Sequence, residues 1–289
     1  MKLTFKHILS AAAVSACAVT SQAQSTYSGY FLDNYMYSFE MNPAMVNMGK
    51  HGFVSMPAIG NLNIGMKGNL HVTDLLYNRD GKTVLFANPQ VSAGEVLGNL
   101  SSANKIGIDT RIDIMSVGFK ALGGQNVVSI SAIADANVSA PKSIFSLIKE
   151  GISNRTYDIR DLRANATGYA QIQLNHQRDL SKWVPGLKAG AAFKMLLGMA
   201  NVDARFNEAQ LELGEDAWKA RTQAEIYTNI KDAYYTLGHN DRLNRDYVDG
   251  LHVGGVGVNG FGIGFDLGAT YKWRDFNFSL ALLDLGFIS

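Results

Sequence analysis

The chain has one cysteine, Cys17, in 289 residues. A lone thiol excludes a disulfide framework, a thiolate zinc site and a Cys-x-x-Cys redox pair. Net charge is almost absent: 26 Lys+Arg stand against 25 Asp+Glu, a formal net of +1. That balance excludes nucleic acid as a partner and a polybasic role at a membrane surface. Proline is scarce, at 5, while glycine reaches 29. Such a ratio suits strands and tight turns better than linkers. Long hydrophobic runs are missing as well. Beyond the first 23 residues no uninterrupted apolar run approaches the ~18 residues of a spanning helix. A bilayer can then be crossed only by a closed β-barrel, because lipid leaves no backbone N–H or C=O unpaired. What is present is apolar surface. Hydrophobic residues make up 47% of the chain, which excludes wholesale disorder. The length allows one large domain or two ordinary ones.

Residues 1–23 read as a secretory signal peptide. Lys2, Lys6 and His7 form the positive start, residues 8–20 the short apolar run, and Ser21-Gln22-Ala23 the cleavage site ahead of Gln24. A rival reading is a lipoprotein signal, since Val14-Ser15-Ala16-Cys17 resembles a lipobox. Ala18 and Val19 prolong the apolar run past that point, and the ordinary site follows. Cleavage after Ala23 removes the only cysteine, leaving an oxidising compartment no thiol to act on.

Seven segments then alternate with period two: 61–70, 106–120, 127–140, 162–176, 187–199, 260–273 and 276–287. In the clearest, Leu162, Ala164, Ala166, Gly168, Ala170, Ile172 and Leu174 oppose Arg163, Asn165, Thr167, Tyr169, Gln171, Gln173 and Asn175. The last segment is the least clean. Strands in soluble proteins average ~5–6 residues, whereas a tilted strand crossing a bilayer needs ~9–11. Length therefore favours an antiparallel transmembrane β-barrel, all-β in class, with the apolar face in lipid and polar or small residues inside. Asp109, Arg111 and Asp113 share one face, where opposite charges can pair in a wet lumen. In a soluble β-sandwich the same face would meet solvent.

The connections carry a second pattern. Short turns at 121–126, 179–186 and 274–275 alternate with long connections at 71–105, 141–161 and 200–259. Outer-membrane barrels pair short periplasmic turns with long outer loops. Trp183, Trp273 and Phe276 lie near the short turns, as an interfacial girdle would. Residues 141–150 predict a short amphipathic helix that starts at Pro141 and stops at Gly151. Residues 200–259 predict a hairpin turning near Gly214-Glu215-Asp216, followed by a polar stretch at 232–249. Seven strands is an odd count for a closed bacterial barrel. An eighth in 210–230 or 51–56, a longer barrel, or closure by a partner would each resolve it.

Chemical motifs are few. Gly255-Val256-Gly257-Val258-Asn259-Gly260 has the dinucleotide spelling but no βαβ setting, so its glycines are expected on a crowded strand face. His51, His71, His176, His239 and His252 lack ligand spacing. Asp241, Asn244, Asp246, Asp249 and Gly250 form an acidic cluster that misses the calcium-loop pattern. Asp109 and Asp113 would make an acid/base pair only with a cleft and a nucleophile beside them, and no nucleophile motif is present. Neither an enzyme nor a cofactor or metal site is expected.

Two short elements carry a family resemblance. Tyr37-Ser38-Phe39-Glu40-Met41-Asn42-Pro43-Ala44 contains the Asn-Pro-Ala element found near the mature start of barrels resembling the long-chain fatty-acid transporters. Leu283-Asp284-Leu285-Gly286-Phe287 is similar to a segment that recurs in a poorly characterised family of Gram-negative outer-membrane barrels. The resemblance implies an outer-membrane barrel in which roughly residues 24–50 tuck inside as a plug. Asn42, Pro43 and Ala44 would belong to that plug. Those transporters have about twice as many strands as are visible here.

The expected organisation is thus a signal peptide at 1–23, a plug-like segment at 24–50 and a barrel, complete or partial, at 51–289. The expected function is passive passage or binding of a small solute, apolar solutes included, in the cell outer membrane; the resemblance itself gives no substrate. Its partners would be outer-membrane lipid, the solute, and the barrel-assembly machinery during biogenesis. Candidate lumen residues are Asp109, Arg111, Asp113, Arg163, Gln171, Gln173, Lys188 and Lys194. Two readings stand beside this one: a non-conducting scaffold barrel of a secretion or surface-assembly machine, and a soluble periplasmic β-sandwich binding module. A fold by itself does not choose among them.

Overall fold

A computed structural model describes residues 29–30, 32, 34–49, 52–55, 60–151, 154–214, 217–240, 242, 245–255 and 257–289. The expected signal segment, Cys17, His51, Asp241 and Asn244 lie outside the described residues. A 3-10 turn, Ser38–Glu40, precedes the strands. Then follow β1 (Phe53–Val54), β2 (Asn61–Gly68), α1 (Val72–Leu75), β3 (Leu76–Arg79), β4 (Lys82–Leu85) and α2 (Ala93–Asn99). Next come β5 (Ala103–Ala121), β6 (Gly124–Pro141), α3 (Lys142–Glu150), β7 (Arg155–Asp158), β8 (Arg163–Asp179) and β9 (Leu187–Leu213). The chain continues with β10 (Trp218–Ile230), β11 (Tyr234–Asn240), β12 (Arg245–His252), β13 (Gly260–Trp273) and β14 (Phe276–Ile288).

The class is all-β, dominated by one antiparallel sheet of ten strands in the order β1-β5-β6-β8-β9-β13-β14. β2 joins β5 beyond β1, while β7 and β10 join the far part of β9. β5, β6 and β8 run 19, 18 and 17 residues, and β9 runs 27, far beyond the ~5–6 of ordinary strands. Tight turns link them at one end. Leu122 and Gly123 both take positive φ, 56° and 71°, the two-residue turn whose twist matches the flanking strands. Among the described residues no pairing joins β14 to β1 or β2.

Strict alternation would not survive such lengths, and the strands do not keep it. The register of β5 skips Ile114, and that of β9 skips Met199 against β8 and Asn207 against β10. β14 carries one extra residue between Leu282 and Leu285, where Asp284 turns left-handed at φ 57°. Each inserted residue shifts the phase by one, as a β-bulge does. In β9 the apolar set therefore passes from Phe193, Met195 and Leu197 to Val202, Ala204 and Phe206, then to Leu211 and Leu213. The bulge in β14 explains why that segment looked irregular as sequence.

The long connections carry structure of their own. Residues 71–105 hold α1, the β3–β4 hairpin and α2, and α3 forms where residues 141–150 predicted it. Pro141 caps α3, and Gly151, at φ 72°, ends it. These pieces share a small core of Tyr77, Val91, Val96, Leu100 and Phe145. Residues 200–259 contain the expected hairpin, as the far part of β9 with β10, and a second one, β11–β12. Strands occur in both stretches able to hold an eighth, as β1 and β10. No helix among the described residues is long and apolar enough to cross a membrane.

Candidate functional site

The two faces of the main sheet differ in the reverse of the usual sense. Large apolar side chains stand exposed on one face: Ile64 is 67% exposed, Phe193 42% and Leu280 63%. The opposite face buries polar groups: Asp113 and Asn175 are 0% exposed, Gln171 and Gln173 1%. What covers that polar face is the N-terminal segment, residues 35–48. Tyr37, Phe39, Val46 and Met48 cluster with Val127 of β6, and Phe53 packs alongside.

The segment is fixed by its Asn-Pro-Ala element. The Asn42 amide points its Nδ2 at three acceptors on β13 and β14: Ala269 O at 3.2 Å, Ser279 Oγ at 2.8 Å and Leu280 O at 3.1 Å. Its Oδ1 accepts the Ala44 N–H at 2.8 Å. Asn175 of β8 donates from Nδ2 to Pro43 O at 3.2 Å. Glycines make the room. A Cβ at Gly268 would come within 1.9 Å of Asn42 Oδ1, and one at Gly190 within 2.2 Å of the Pro43 carbonyl. Residues 40–43 thus touch strands from β5 to β14.

Two charged clusters sit on this face. In the first, Arg111 Nε donates to Asp113 Oδ1 at 3.0 Å, Arg111 Nη2 to Ser131 Oγ at 3.0 Å, and Ser131 Oγ to Asp113 Oδ1 at 2.6 Å. Glu40, from the N-terminal segment, reaches Arg111 at 3.4 Å. Its Oε1 lies outside hydrogen-bond geometry and is buried. Burial pushes the Glu40 carboxyl up to about 8, with Arg111 opposing the rise and Asp113 adding to it. In the second cluster Lys194 Nζ lies 2.7 Å from Asp266 and 2.6 Å from Asp284, whose backbone N–H donates to Asp266 Oδ1 at 2.7 Å. The left-handed bulge at Asp284 turns its carboxylate back to this face. Lone buried charges are costly, so each cluster must form as a unit.

Of the candidate lumen residues, Asp109, Arg111, Asp113, Gln171, Gln173 and Lys194 share the covered face. Arg163 and Lys188 do not join them. Arg163 is exposed and lines a cleft of about 490 Å³ at the long-connection end, with Lys67 and Lys105. Lys188 lines another of about 450 Å³ at the tight-turn end, with Lys120 and Asp179. Simple alternation placed them with the rest because it does not register where a strand outruns its cover. Glu40, Asp266 and Asp284 were missed. Asp284 falls on the apolar parity until the bulge is counted, and Glu40 lies in a segment without periodicity. Among the described residues no group of three or more His, Cys, Asp or Glu is placed to share a metal ion. Residues 43–289 match the model of one protein family, described as a family of unknown function (DUF5723). No curated protein and no solved structure matches the chain.

Proposed function

The chain belongs to the DUF5723 family, whose function is unknown, and from that premise we propose that it is an outer-membrane β-barrel protein with an occluded polar interior. The observation that carries the proposal is the inversion of the sheet: apolar side chains outward, charged and amide side chains inward. Water around such a sheet would leave ~25 cal/mol per Å² of exposed apolar surface unrecovered, whereas hydrocarbon removes that penalty. The contacts of residues 40–43 with β5, β8, β13 and β14 support closure, and strands of 17 residues or more exceed what a tilted crossing needs. In this reading residues 1–23 direct export, the assembly machinery inserts the barrel, and lipid contacts its outer face.

The interior would hold or pass a small solute. Its lining of Arg111, Asp113, Lys194, Asp266 and glutamines favours a polar solute over an apolar one. Residues 35–48 fill the space as a plug, and passage requires them to move. The same occlusion favours a second reading, a non-conducting scaffold barrel, because the plug is anchored to β8, β13 and β14 by side-chain hydrogen bonds. Flux of a small polar solute through reconstituted vesicles separates the two. A conduit leaks more when Asn42→Ala loosens the plug, whereas a scaffold stays sealed. Extraction of the protein from membranes by alkaline carbonate would return the soluble sandwich to favour.

A further inference from the structure

β9 has two neighbours in succession along one side: β13 takes residues 187–198 and β10 takes residues 200–213. β10 therefore stands beyond the end of β13, and its outer edge pairs with nothing among the described residues. Every side chain from Trp218 to Asn229 is exposed. The strand is 13 residues long and has no proline, and the nearby bulge is on β9, so β10 itself stays regular. A long regular edge presents open N–H and C=O groups and recruits another strand.

The sequence of β10 specifies which strand it fits. Gly214 N–H donates to Ala217 O at 3.1 Å, so the hairpin opens on a hydrogen-bonded pair. Alternation from there turns the backbone groups of Lys219, Arg221, Gln223 and Glu225 toward β9 and those of the even-numbered residues toward the open edge. Trp218, Ala220, Ala224 and Ile226 share one face, and the odd-numbered polar residues share the other. We propose that β10 pairs antiparallel with β10 of a second copy of this chain, across a two-fold axis at Gln223. That register sets Arg221 opposite Glu225 of the second copy, twice by symmetry, and Ala220 opposite Ile226. The charged pair falls at non-hydrogen-bonded sites, where opposed side chains come closest.

Rival registers fit less well. An axis at Arg221 or Glu225 opposes like charges. An axis between two residues sets apolar against polar. An axis at Thr222 shortens the paired stretch, and one at Ala224 lengthens it but sets Arg221 opposite Tyr227 and Gln223 opposite Glu225, so no opposite charges meet. Arg221 has no ion pair among the described residues. Two-fold pairs are also the commonest form of self-association. The axis crosses the strand, so an upright β10 joins chains in facing bilayers and a β10 laid along the surface joins neighbours in one bilayer. Detergent-solubilised chains are free to do either.

The full chain in mild detergent, with Cys17→Ser, provides the test. Opposed residues at the axis lie ~4.5 Å apart between Cα atoms, within reach of a disulfide. Gln223→Cys should form a disulfide dimer at least tenfold more than Lys182→Cys, an exposed control in the β8–β9 turn. Adding Arg221→Glu should reduce that yield to the control level, and further adding Glu225→Arg should restore it. Light scattering on the chain without these changes should give the mass of a dimer. Equal cross-linking of Gln223→Cys and Lys182→Cys, or a yield indifferent to both charge changes, overturns the proposal.

Discussion

Two regions of this molecule follow opposite rules. The module formed by α1, β3, β4, α2 and α3 buries Tyr77, Val91, Val96 and Phe145 and turns its charged groups outward. The main sheet buries Arg111, Asp113, Lys194 and Asp266 and turns Ile64, Phe193 and Leu280 outward. One chain made under one set of conditions carries both. Side-chain physics is the same in the two regions, so the difference lies in the surroundings each is built for. The module is organised for water. The sheet, in the proposed reading, is organised for hydrocarbon outside and a wet, plugged interior.

The largest expected effects come from emptying either centre. Arg111→Ala leaves Asp113 buried without its cation, which should cost ~3–5 kcal/mol in unfolding from lipid vesicles. Phe145→Ala should cost a similar ~3–5 kcal/mol, felt in the module alone, as faster amide exchange in residues 72–100. A charge added to each exterior sharpens the contrast. Phe193→Arg should cost ~2–4 kcal/mol if the site lies at bilayer mid-depth. Ile148→Arg, exposed on α3, should stay within ~0.5 kcal/mol. Equal tolerance at both positions would erase the comparison. Asn42→Ala removes the anchor to β13 and β14 and should weaken docking of residues 35–48 by ~1–3 kcal/mol, read by limited proteolysis of that segment.

The remaining prediction is a pH slope. Docked Glu40 holds its proton up to about 8, against 4.5 for an ordinary glutamate. The docked state therefore binds more protons between those values, and docking weakens as pH rises from about 4.5 toward about 8, then levels off. Arg111, Asp113 and Lys194 face the group and set the size of the change. Protection of residues 35–48 from exchange should fall across that window, and Glu40→Gln should flatten the slope.

Much of this fold was legible as alternation. The segments at 260–273 and 187–199 begin on the strand starts observed, because Phe261 to Trp273 and Leu187 to Leu197 keep one phase. Alternation could not reveal the continuation of β9 to Leu213, since bulges at Met199 and Asn207 invert the phase twice. Part of the site was legible for the same reason: Asp109, Arg111, Asp113, Gln171, Gln173 and Lys194 sit on strands. Glu40 was not, because its position depends on a segment without periodicity docking over distant strands. The glycines at 190 and 268 could be placed on a strand face but not matched to Pro43 and Asn42, because that contact joins parts of the chain far apart in sequence.

The account stands on what surrounds the outward face of the sheet. Nitroxide labels at Phe193→Cys and at Gln173→Cys, in Cys17→Ser chains reconstituted in vesicles, test it most directly. The account predicts that the label at 193 is relaxed by oxygen dissolved in lipid and shielded from a water-soluble nickel chelate, with the label at 173 shielded from lipid. A label at 193 that meets the nickel chelate as freely as one at Ile148→Cys on α3 would contradict it.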